Sequence, residues 1–151
     1  MTPIIRRQRG SRYAGAVPSM ERSALAALLV EQRELEAQIP DGSATPGETL
    51  RIGEAVLQFA AHEDEAFSAV APLLDPAALT ELTAEHQHFV EDLELLGSLV
   101  RAAPDSPDVF ILTASLLQRM RQHVHRDGRL LARAAAFAGL TFMPVPARSD
   151  S

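Results

Sequence analysis

The sequence predicts an all-α chain: an antiparallel, up-down four-helix bundle with an irregular N-terminal arm. Three observations predict it. Four stretches carry apolar residues at helical spacing, three or four apart. Each opens on a capping residue or a proline and closes on a Pro/Gly break. The links between them are short, which favours antiparallel neighbours.

The elements follow in order. Residues 1–18 hold Arg6, Arg7, Arg9 and Arg12 among Gly10, Gly15 and Pro18, without steady periodicity. They read as a flexible or strapping arm. Ser19 caps a first helix that runs to about Ile39, where Pro40-Asp41-Gly42 stops it. Leu25, Leu28, Leu29, Leu35 and Ile39 share one face, with Gln32 at its centre. A buried amide there must find hydrogen bonds.

Thr45 caps a second helix with Pro46 in its first turn. It runs to about Leu74, with Ile52, Val56, Phe59, Phe67, Val70 and Leu74 on its buried side. Asp75-Pro76 opens a third helix striped by Leu79, Leu82, Phe89, Leu93 and Val100. After the break at Ala103–Pro107, a fourth runs to about Phe137 and ends near Gly139. Val109, Leu116, Met120, Leu131 and Ala134 line it. The bundle thus covers residues 19–139, and 140–151 form a loose C-terminal tail, with brief strand-like alternation only at Leu140–Met143.

Composition narrows the function. The 151 residues are 46 % hydrophobic and 23 % charged, ordinary for one globular domain. With no cysteine, thiol chemistry and thiolate ligands are excluded, so a metal would need histidine and carboxylate donors. A net charge of −6 argues against nucleic acid as a partner. No apolar run reaches the roughly 18 residues a membrane span needs. No secretory h-region follows the arginines, so the default location is cytoplasmic. No nucleophile–base signature or Gly-rich phosphate loop points to an enzyme; Gly47, Gly53 and Gly97 are isolated.

The polar residues that fall on apolar faces are more informative. All 5 histidines lie in three places: His62, the pair His86 and His88, and the pair His123 and His125. At about 100° per residue, Glu63 falls near the centre of its stripe and His62 roughly 80° off, on the flank. His86 lies on its stripe axis. Asp127 lies near the centre of the fourth stripe, one turn after His123 on the flank. Asp64, Glu65, His88 and His125 point outward, and Glu85 sits on the border, where a surface ion pair of little worth is the plain reading. The inward or flanking set is therefore Gln32, His62, Glu63, His86, His123 and Asp127. A single inward histidine is ordinarily a hydrogen-bonded core residue. Three helices that each offer one, two of them beside an acid, are better explained by a shared cation, which resolves the burial cost of carboxylates. Bundle cores are where di-iron carboxylate proteins place their ligands.

This arrangement resembles the hemerythrin-like, or HHE cation-binding, family over roughly residues 20–138. The resemblance rests on His62-Glu63 followed by Pro72, on Glu85-His86, and on His123-x-x-x-Asp127. It implies a four-helix bundle holding non-haem iron, two ions with an oxygen or hydroxide bridge in typical members. Such proteins bind O2, handle nitric oxide or peroxide, store iron, or sense iron and oxygen. Carried over by position, His62, His86 and His123 would be imidazole ligands, Asp127 the carboxylate one turn on, and Glu63 an additional acid. Two positions depart from the family: Gln32 stands where the first helix carries histidine, and Ala66 where a bridging glutamate is expected. Val90 likewise gives the third helix no second inward histidine. The implied centre is mono- or dinuclear. The alternative is a degenerate bundle without stable metal, serving as an interaction or regulatory module through a homodimer or a protein partner.

Overall fold

The computed structural model describes residues 19–70 and 75–139. They form four helices: α1 Ser19–Gln38, α2 Pro46–Val70, α3 Pro76–Ala102 and α4 Pro107–Phe137. No strand occurs among the described residues. The arm at 1–18, the last turn expected of the second helix with Pro72 and Leu74, and the tail at 140–151 lie outside them.

The ends of the helices follow from local chemistry. Thr45 Oγ1 accepts from the Glu48 amide at 3.1 Å, Asp75 Oδ1 from Ala77 at 3.1 Å, and Ser106 Oγ from Asp108 at 3.3 Å. Each supplies an acceptor to a first-turn N–H that has none within the helix. A proline follows each cap at the first helical position, where its missing N–H costs nothing. At the far end of α4, Gly139 takes φ +73°, the left-handed conformation that terminates helices and that glycine adopts without strain.

Packing joins these helices into a four-helix bundle. α4 packs against α1, α2 and α3, while α2 also packs against α1 and α3. The core takes up most of the stripes read from the sequence, with Leu96 added and Ile52, Leu79 and Val100 only half-buried. Leu25, Val56, Phe59, Phe89, Leu96, Val109, Leu116, Met120 and Leu131 are all fully buried. α2 and α3 approach closely at Gly53, where an added Cβ would lie 2.4 Å from Leu93 Cδ2. Arg121, on α4, donates to the Pro40 carbonyl and to Gly42 O, tying α4 to the α1–α2 link. Gln32 meets its hydrogen-bonding need inside the core: Nε2 donates to Val124 O of α4 at 3.0 Å and to Glu36 Oε2 at 3.1 Å.

Candidate metal centre

Three helices bring four buried polar residues to one point. α2 contributes Glu63, α3 His86, and α4 both His123 and Asp127. Each offers one donor atom, and the four atoms lie within 4.8 Å of one another. Glu63, His123 and Asp127 have no exposed surface, and His86 is 8 % exposed. The helical phase explains the convergence. These residues replace apolar side chains on stripes that already face the bundle axis, beside Phe59, Phe89 and Met120.

Both rings point Nε2 inward. His86 Nε2 and His123 Nε2 are 3.1 Å apart, His123 Nε2 is 3.0 Å from Asp127 Oδ2, and His86 Nε2 is 3.6 Å from Glu63 Oε1. Metal–ligand bonds of about 2.1 Å set neighbouring donors roughly 3.0–3.4 Å apart in octahedral or tetrahedral coordination. The His86–His123 and His123–Asp127 distances match that spacing, and the His86–Glu63 distance is slightly longer. The hydrogen bonding within the quartet is incomplete. No oxygen of Glu63 or Asp127 makes a well-aligned hydrogen bond, although Asp127 lies within reach of His123 Nε2 and of a protonated Glu63. Poorly satisfied buried acceptors call for an explanation, and a shared cation supplies one.

Electrostatics point the same way. Burial, reinforced by the neighbouring Asp127 charge, pushes the Glu63 carboxyl up to about 10, so it is neutral at pH 7 in the metal-free protein. Burial, with His123 beside it, lowers His86, keeping an imidazole whose lone pair can coordinate. Burial also pulls His123 down, but Asp127 and Glu85 together outweigh it and hold that ring above its ordinary value.

The outer nitrogens of both rings have an acid nearby, though neither makes a well-aligned hydrogen bond. Glu85 Oε1 stands 3.2 Å from His123 Nδ1, while Glu85 Oε2 accepts from Arg126 Nη1 at 3.1 Å. Asp64 Oδ1 lies 4.0 Å from His86 Nδ1. A carboxylate behind a ligating imidazole fixes the ring and raises its basicity. Sequence reasoning left Glu85 as a surface ion pair. It does pair with Arg126, yet its other oxygen reaches the buried ring. Its border position in the α3 stripe was the available signal.

His62 stands elsewhere. Its side chain is 49 % exposed, and its Nδ1 pairs with Glu31 at 3.0 Å on the α1–α2 surface. The expectation that it joins His86 and His123 is corrected: the flank angle resolves toward solvent, and α1 offers Glu31 there as partner. Ala66 is buried and brings no donor to the quartet. His88 is exposed, and so is His125, which pairs with Glu36 at 3.1 Å.

The donor set of two imidazoles and two carboxylates could hold one divalent ion of the iron, manganese or zinc type. No helix among the described residues is long and apolar enough to cross a membrane. No protein family, characterised protein or solved structure matches the chain.

Proposed function

We propose that this chain is a hemerythrin-like up-down bundle that holds a single non-haem iron on Glu63, His86, His123 and Asp127 and uses it in a cytoplasmic setting to bind or sense O2, nitric oxide or redox state. The observation that carries the reading is the buried quartet, whose four carboxyl oxygens make no well-aligned hydrogen bond. Iron is favoured by the pairing of two imidazoles with carboxylates, a donor set that leaves coordination positions open. When bound, iron would supply reversible binding of diatomic ligands and one-electron chemistry. The chain's own residues do the rest. His86 and His123 present neutral nitrogens, Glu63 and Asp127 supply compensating charge, and Phe89 packs edge-on against His123 at 5.1 Å between ring centroids, excluding water. With one donor from each of four residues and Ala66 in place of a further acid, the arrangement favours a mononuclear centre over the two-iron form.

Anaerobic loading with ferrous iron, gel filtration and elemental analysis test this. About one iron per chain is expected, falling sharply in His86→Ala and Asp127→Asn, with a near-ultraviolet charge-transfer band on exposure to air. Loss of all iron by the wild type, or retention unchanged in both variants, would refute it.

A second reading is an interaction or regulatory module without stable metal. Gln32 and Ala66 favour it, as do Phe110 and Ile111, 58 % and 67 % exposed at the start of α4. Thermal melts of wild type and His86→Ala with and without iron separate the two. The module reading expects no metal-dependent shift in either, and a dimer or partner complex weakened by Phe110→Ser.

A further inference from the structure

On the side of α4 away from α1, three guanidinium groups share one face. Arg126, Arg129 and Arg133 are spaced three and four apart, so they project from adjacent turns of the helix. With Leu130 and with Ala78 from the first turn of α3 they line a hollow of about 170 Å³. No carboxylate among the described residues lines it. Arg126 is held by Glu85, whereas Arg129 and Arg133 have no acidic partner among the described residues. In a chain of net charge −6, two uncompensated arginines beside a third form a local positive field against the general trend.

We infer that this hollow is an anion site that takes a small phosphoryl group, as inorganic phosphate or a soluble phosphomonoester. Two features carry it together. Guanidinium forks match phosphate oxygens in bidentate geometry, which ammonium groups do not. The volume suits a phosphoryl group with a few attached atoms. An anionic bilayer is disfavoured as the source of the group, because the rest of the surface would be repelled by it. The site is separate from the Glu63–His86–His123–Asp127 quartet and stands whether or not that quartet holds metal.

The test uses the full-length, metal-free chain, with backbone amide shifts followed by NMR during titration with inorganic phosphate at constant ionic strength. Saturable shifts confined to Ala78 and the 126–133 segment are expected, completing in the millimolar range or below. The double variant Arg129→Gln/Arg133→Gln should weaken binding at least about tenfold while leaving the melting temperature unchanged, since each arginine contributes charge-assisted bonds and no core packing. Arg101→Gln, which removes the same charge at a distance, should leave binding as in wild type. A non-saturating response, equal loss in Arg101→Gln, or binding seen only to vesicles containing phosphatidic acid would each overturn the inference.

Discussion

Replacing Glu63 with glutamine separates the two states of the quartet. In the metal-free protein the Glu63 carboxyl is held up to about 10 from an ordinary 4.5. Between those values the folded chain keeps a proton that the unfolded chain has released. Stability from this group is therefore fully present below pH 4.5 and is lost progressively as pH rises toward 10. One proton of difference corresponds to about 1.4 kcal/mol per pH unit. From pH 6.5 to 8.5 the metal-free wild type should lose roughly 3 kcal/mol through Glu63. That is about 5–10 °C in melting temperature for a chain of this size. Glutamine is nearly isosteric with the neutral acid and does not titrate. Glu63→Gln should therefore fold with wild-type stability near pH 5, and its melting temperature should fall less steeply above that. His123, also raised, loses its contribution in the same direction in both proteins, so the difference between the two curves isolates Glu63. Circular-dichroism melts at half-unit pH intervals in chelator read this directly. Parallel curves for wild type and variant would refute the claim that Glu63 is buried and neutral, and with it the burial that makes the carboxylate available to a cation.

Other perturbations have equally definite outcomes. Glu85→Gln should weaken ferrous-iron binding about tenfold to a hundredfold by loosening the outer hold on His123, measured by chelator competition, with little change in metal-free stability. His62→Ala should leave iron stoichiometry unchanged and alter stability by no more than about 0.5 kcal/mol, since its pair with Glu31 is exposed; loss of iron in this variant would restore His62 as a ligand. Gly53→Ala should change stability by no more than about 1 kcal/mol in a chemical-denaturation curve, because its Cβ meets the rotatable end of Leu93 while the helix gains about 1 kcal/mol in propensity.

Much of the fold is written in local signals. Capping residues followed by prolines at Thr45 and Asp75 mark helix starts that the structure reproduces, because each cap is decided by a few adjacent atoms; at the break before Pro107 the structure adds Ser106 as the cap. The apolar stripes carry over for the same reason: a helix with one apolar face has one way to bury it. Glu63, His86 and Asp127 fall near the centres of those stripes, where an error of one residue in phase still leaves them inside. The flank positions divide differently. His123 and His62 are both off-centre, yet His123 is fully buried and His62 is half exposed. The flank of α4 that carries His123 is covered by α3, with Glu85 against its ring, whereas the flank of α2 that carries His62 opens to solvent beside Glu31. That outcome depends on which neighbour covers each flank, which periodicity within one helix does not encode. Glu85 escaped for a related reason. Its two oxygens serve a surface arginine and a buried ring at once, 41 and 38 positions along the chain, and only the packing of α3 on α4 brings both within reach.

The measurement that bears most directly on the account is anomalous diffraction from crystals grown anaerobically with ferrous iron, recorded on both sides of the iron edge. One peak per chain is expected, bonded to His86 Nε2, His123 Nε2 and oxygens of Glu63 and Asp127 at about 2.0–2.3 Å. A peak at the His62–Glu31 surface instead, or ordered quartet side chains with no peak among them, would contradict it.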